Sequence, residues 1–98
     1  MTNSILVVES RPAAPDLVDD YNLWQDETHI PEMLRVEGFA SARRFEVGEG
    51  SYVTVYELDA EPDVAKANLR RAVENGEISK PVAMELDPPP VMRYLSPV

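Results

Sequence analysis

The chain has 98 residues, no cysteine, and 9 Lys+Arg against 18 Asp+Glu, for a formal net charge of -9. A length of this kind allows one domain, residues 1–98, and the missing cysteines exclude disulfide staples and thiolate metal sites. The acidic balance argues against nucleic acid and anionic membranes, since both are met by clustered Lys and Arg. Ser4 to Ser10 reads as a strand, because Ile5-Leu6-Val7-Val8 is an aliphatic run too short for a helix. Both of its faces are apolar, so it needs cover on both sides. Pro12 and Pro15 break the chain, and Pro15 suits a first helical turn. Asp16, Asp19 and Asp20 then sit at the positive end of the helix dipole.

At 100° per residue, Leu17, Val18, Tyr21, Trp24 and Thr28 fall in one arc of this helix, with Gln25 inside it and His29 at its edge. Leu23 lies opposite. Pro31 would collide with the carbonyl of Glu27, which predicts a stop or kink near His29 and a second short turn from Pro31 to Glu37. Gly38 is placed to close that turn in a left-handed conformation. Phe39 to Val47 and Ser51 to Leu58 read as two strands of a hairpin joined at Gly48-Glu49-Gly50. Strict alternation puts Phe39, Ser41, Arg43, Phe45 and Val47 on one face, the larger one, under a helix. Tyr52, Thr54, Tyr56 and Leu58 then oppose Val53 and Val55. A second helix is predicted from Pro62 to about Asn75, with Ala65, Leu69, Ala72 and Val73 as a narrow stripe and Gly76 past its end. Glu77 to Asp87 gives mixed signals with room for a further turn. Pro88 to Pro90 lead into a last strand, Val91 to Leu95, placed at an edge by Pro97.

The order β-α-β-β-α-β is the α+β, ferredoxin-like plan: a four-stranded antiparallel sheet with two helices on one face. Three of the strands lack a polar face, so the uncovered side needs another apolar surface. The same face of a second copy, packed with two-fold symmetry, is the simplest. No run approaches the ~18 apolar residues of a membrane span. The first residues also lack the basic and apolar regions of a secretory signal, so the expectation is a cytoplasmic protein used as written.

His29 is the one histidine, and its ordinary pKa lies near neutrality. One reading makes it a general acid or base at the mouth of a pocket between helix and sheet; the other makes it a cap on carbonyls freed by Pro31. Trp24 and Tyr21 are core residues that can also wall a pocket. Arg43, beside Ser41 and Phe45, needs an opening to water or an anionic partner, which could be a substrate carboxylate or enolate, or an acid of the first helix. Tyr52, Tyr56 and Tyr94 could donate phenolic hydrogen bonds into the same space. A zinc helix motif needs a second histidine, and no glycine-rich phosphate loop or G-x-S-x-G elbow is present. The 18 carboxylates read as a solvated acidic surface.

The stretch Tyr21-Asn22-Leu23-Trp24-Gln25-Asp26-Glu27-Thr28-His29-Ile30-Pro31-Glu32-Met33-Leu34, followed by Gly38-Phe39-Ala40-Ser41-Ala42-Arg43-Arg44-Phe45, resembles the EthD-like branch of the dimeric α+β barrel superfamily. With Tyr52 to Leu58 it covers roughly the first 60 residues. The resemblance implies a homodimer with a ligand cavity in each subunit, and it implicates His29 as the functional histidine. Gln25 stands where the pattern favours an aromatic residue. The superfamily includes cofactor-independent cyclases, isomerases, dehydratases and monooxygenases as well as haem-degrading enzymes. The resemblance and the residues together lead to the expectation of a cofactor-free enzyme acting on a small apolar carbonyl or phenolic compound of polyketide or aromatic metabolism. His29 would move the proton, and Trp24, Thr28, Arg43, Phe45 and Tyr56 would bind the substrate, with no metal. Two other functions fit the same pattern: a non-catalytic dimeric binding or stress-related protein holding a hydrophobic small molecule, and a cofactor-free monooxygenase acting on a phenol.

Overall fold

The aliphatic run near the N-terminus becomes β1 (Ile5–Ser10), an inner strand of a four-stranded antiparallel sheet. The computed structural model describes residues 3–48 and 50–98. Met1 and Thr2, on which the reading of the N-terminus partly rests, and Glu49, at the centre of the predicted hairpin connection, lie outside the described residues. A 3-10 turn (Pro15–Leu17) leads into α1 (Val18–Trp24), a π-helical turn (Gln25–His29) and α2 (Ile30–Leu34), which run on as one composite helix. Then come β2 (Phe39–Val47), β3 (Ser51–Leu58), α3 (Pro62–Glu74) and β4 (Val91–Leu95). The sheet order is β2-β3-β1-β4, so β4 lies at an edge as its flanking prolines predict. This is the ferredoxin-like α+β arrangement.

Parity along the strands decides what is buried. Leu6, Tyr56 and Leu58 point to the helical side and are at most 5% exposed, meeting Met33, Val36, Ala65 and Ala72 in one core. Phe39 joins them with its ring edge-on to that of Tyr56, 5.9 Å between centroids. The two alanines, Ala65 and Ala72, are the buried residues of α3. Val73, expected in that stripe, is exposed. On the other side of the sheet, Ile5, Val7, Val53 and Val55 are half-buried, while Phe45, Val47, Val91 and Leu95 are exposed. That face has no helix over it.

The expected alternation in β2 is corrected. Phe39 pairs with Leu58 but Ser41 pairs with Glu57, so a bulge at Ala40 inserts one extra residue. Every side chain after it changes face. Phe39, Ala42 and Arg44 therefore turn towards the helices, and Ser41, Arg43, Phe45 and Val47 turn away. Ser41 Oγ donates to Glu57 Oε1 at 2.6 Å on that open side.

Gly38 closes the turn between α2 and β2 with φ +102°, in the region that suits glycine. A Cβ there would also meet the Ala60 Cβ at 3.2 Å and the Ala65 Cα at 3.5 Å. Gly38→Ala is therefore expected to cost about 1–3 kcal/mol. Thermal unfolding followed by circular dichroism reads this directly, and an unchanged midpoint would contradict it.

The segment 77–87 is not helical. It runs back along the chain after β1, with Ala13 N–H donating to Ala83 O at 2.8 Å and Glu85 N–H to Arg11 O at 2.9 Å. Its start is tied to α2, because Ser79 donates from both its backbone N–H and its hydroxyl to Glu32 Oε1, at 3.0 and 2.9 Å. A lobe of coil is thus held over one end of the sheet.

Candidate functional site

Pro31 does not end the first helix. The turn before it widens, with Ile30 N–H reaching Gln25 O, five residues back. This relieves the clash that a proline would make with the carbonyl four residues earlier, and the helix continues through α2. The wider turn also re-aims the side chains. With one more residue per turn, the position beneath Trp24 is taken by His29 rather than Thr28. The Trp24 and His29 rings stack, 4.7 Å between centroids and 22° between planes. Thr28 is exposed.

His29 lines a cavity of about 220 Å³ between the composite helix, the sheet and the coil lobe. Its polar lining residues are Ser10, Thr54 and Tyr56 from the sheet and Gln25 and His29 from the composite helix. The rest of the lining is largely aliphatic and thioether, with Met33, Leu69, Ile78, Met84 and Met92 among it. Such a space suits a small, mostly apolar molecule with one polar edge.

Burial governs the titration of the groups in this space. It pushes the His29 imidazole below its ordinary 6.5, outweighing the opposite pull of the Glu32 carboxylate. The ring is therefore neutral at pH 7. Its Nδ1 is buried without a hydrogen-bond partner. Burial likewise holds the Tyr56 phenol well above its ordinary 10, against the attraction of the Arg44 guanidinium, so Tyr56 remains a hydrogen-bond donor.

Tyr21 ties two of the lining residues, Ser10 and Gln25, together. Its hydroxyl lies 2.5 Å from Ser10 Oγ and accepts a hydrogen bond from Gln25 Nε2 at 3.5 Å. Arg44 braces the same helix to the sheet, donating to Asn22 Oδ1 at 2.8 Å and to Asp26 Oδ1 at 3.1 Å. Its guanidinium rests over the rings of Tyr21 and Tyr52. Tyr21→Phe would strand buried partners on both sides, and the expected loss is about 1–3 kcal/mol of stability in urea unfolding. A variant as stable as the parent would show that this hydroxyl does not anchor the turn.

Of the residues expected to meet at the site, the structure brings together His29 and Tyr56 on the cavity wall, with Trp24 stacked behind the histidine. Thr28 is excluded by the π-turn. Arg43 and Phe45 are carried to the open face by the bulge, where the Arg43 guanidinium lies 5.3 Å from the Phe45 ring centroid. The cation on the helical side is Arg44, which the alternation had assigned to the other face. Sequence reasoning missed the lining residues of the coil lobe, Ile78 and Met84, and gave Gln25 no role. The apolar letters of the lobe carried no periodicity that could have revealed them. Among the described residues no cluster of three or more His, Asp or Glu side chains could hold a metal ion, and no helix is long and apolar enough to cross a membrane.

No protein-family profile and no curated protein sequence matches the chain. Solved structures do match. The fold is similar to that of a monooxygenase from the gene ActVA-Orf6 of Streptomyces coelicolor, solved in complex with nanaomycin D. The TM-score is 0.57 at 20% identity, over 99% of this chain and 88% of that one. It is also similar to Rv0793 from Mycobacterium tuberculosis, with a TM-score of 0.58 at 16% identity over 97% of this chain and 95% of that one. At these identities the likeness establishes the fold alone, the ferredoxin-like α+β architecture.

Proposed function

We propose that the protein is a cofactor-independent enzyme that moves protons on a small, largely apolar carbonyl or phenolic compound, with His29 as general acid or base. The observation that carries this reading is a neutral, half-buried imidazole set in the wall of a cavity of about 220 Å³ whose other walls are mostly apolar. An imidazole that burial keeps in its proton-accepting form, set in the wall of such a cavity, suits isomerisation, cyclisation or elimination through an enol. Tyr56, held protonated, would donate to the oxygen on which negative charge develops. Trp24 would fix the imidazole plane by stacking. Arg43, Phe45 and Thr28 have no part in this scheme.

The sequence pattern of the helix and of β2 supports placing the chain in the EthD-like branch. The uncovered apolar side of the sheet supports a homodimer formed through it. A second reading, oxygen insertion into a phenol without a cofactor, is favoured by the fold shared with a monooxygenase solved with nanaomycin D. Mass spectrometry of hydroxylated and keto bicyclic aromatics incubated with the protein separates the readings. An isomer or a loss of water supports proton transfer, and a gain of one oxygen supports the monooxygenase. Binding without any product would leave a binding protein and overturn catalysis.

A further inference from the structure

Methionine is scarce in the chain, which has four, yet three of them, Met33, Met84 and Met92, line the His29 cavity. They come from three different walls: Met33 from α2, Met84 from the coil lobe and Met92 from β4. Met33 also belongs to the core and is 3% exposed, whereas Met84 is half-buried and Met92 exposed, so these two keep surface that a ligand can cover. Their backbones are fixed. Met84 bridges to Pro12 and follows Ala83, a residue other than glycine at φ +59°, whose carbonyl accepts from Ala13 N–H. Strain of that kind persists where the surrounding structure holds it, and it gathers at ligand sites. Met92 is paired with Val8, another residue of the lining. The chain's phenyl and indole rings lie elsewhere: Phe39 is in the core, Phe45 is on the open face, and Trp24 is stacked behind His29. A ligand ring against the apolar walls would therefore meet thioethers rather than phenylalanine or tryptophan.

We propose that Met84 and Met92 are specificity-determining residues that select an aromatic ring on the substrate, their thioethers resting against it and their unbranched side chains folding to its outline. This rests on the reading of the His29 cavity as the ligand site and narrows carbonyl or phenolic compounds to those built on an aromatic frame, with saturated compounds of the same size disfavoured. A thioether sulfur is polarizable and attracts an aromatic ring more than a methylene does, and three rotatable bonds let one side chain follow rings of different shape. Branched aliphatic side chains in the same places fill space without telling an aromatic ring from its saturated counterpart. Val8, Leu69 and Ile78 of the lining are of that indifferent kind. Discrimination therefore falls on the two accessible methionines, one from the lobe and one from the edge strand.

Calorimetric titration of the full chain with 2-naphthol and trans-2-decalol, which carry one hydroxyl on an aromatic and on a saturated frame, tests this through the ratio of the two affinities. Protein produced with norleucine in place of methionine exchanges sulfur for methylene at nearly constant shape, and there the ratio is expected to fall about tenfold from that of the parent. Met84→Leu and Met92→Leu should each lower it about threefold. In the parent, the methyl resonances of Met84 and Met92 should shift in NMR on adding 2-naphthol, which keeps the test decisive if a variant does not fold. The His29 ring resonances report entry into the cavity itself. With those resonances moving, a ratio unchanged in the norleucine protein, a ratio unchanged in both single variants, or methyl resonances that 2-naphthol leaves in place would each overturn the role of the two methionines and leave the cavity as a ligand site. If neither alcohol moves the His29 resonances, the cavity reading fails and takes this one with it.

Discussion

A His29→Gln protein is expected to keep its fold and lose about 10²–10⁴-fold of its turnover, the range that a positioned general acid or base supplies. Glutamine fills much of the imidazole's volume against Trp24 but cannot exchange a proton near neutrality. Circular dichroism and scattering should be those of the parent, so the loss would be chemical. The pH profile gives a second, independent reading. Burial lowers the folded pKa of His29 below its ordinary 6.5, so the neutral form persists further into acid than in a free histidine. If that form is the base, kcat/KM holds level through neutrality and falls on the acid side with a midpoint below 6.5. The same shift enters stability with a definite sign. Below about pH 6.5 the unfolded chain takes up a proton that the folded chain resists, so this contribution to stability declines as pH falls through that value. His29→Gln should flatten that decline. Full turnover in the variant, or an acid limb centred above 6.5, would remove His29 from the mechanism.

The order of elements, the edge position of the last strand, the left-handed Gly38 and the extent of α3 were all legible in the sequence. Each is written in local chemistry: an aliphatic run, a proline at a helix start, a glycine past a helix end. The site was only half legible, and both failures have the same physical form. A single extra residue, at Ala40 in β2 and within the turn Gln25–His29, changes the period on which facing is computed. In the strand it exchanged Arg43 for Arg44; in the helix it exchanged Thr28 for His29 beneath Trp24. Neither insertion leaves a mark in hydrophobic alternation, because Ala40 and Ala42 look alike to it and Pro31 reads as an ending rather than as the cause of a wider turn. The coil lobe was hidden for another reason: Met84 is placed by long-range pairing with the chain around Pro12, and Ile78 adjoins the tie of Ser79 to Glu32, and no local pattern encodes either. π-turns of this kind are found often at functional sites. Here the turn gives the reason, since it faces a histidine and an amide into the cavity within five residues.

The other large effect concerns the open face of the sheet. On β3, Val55 is paired with Val7 on one side and Arg43 on the other, and it sits near the middle of a surface that includes Ile5, Val53, Phe45, Val91 and Leu95. In a single chain Val55 is only half-buried, so an aspartate there remains in contact with water and the fold survives. In a two-fold dimer closed through this face the same carboxylate would appear twice and be stripped of water both times. Removing each carboxylate from water costs several kcal/mol, of which the neighbouring Arg43 guanidinium returns only part, so the expected loss is at least about 10²-fold in dimer affinity. Light scattering of the parent should therefore give twice the 11.0 kDa of the chain, and Val55→Asp should give the single chain with the circular dichroism of the parent. The charge pattern makes a milder substitution informative as well. Arg43 and Arg93 share the face with Glu9 and Glu57, so a serine at Val55, polar but uncharged, should weaken the pair without abolishing it. A parent that scatters as one chain at working concentration, or a Val55→Asp protein that still pairs, would mean that this surface is covered in some other way. The cavity would then have to be complete within one protomer, with the sheet beneath it resting on water rather than on a second sheet.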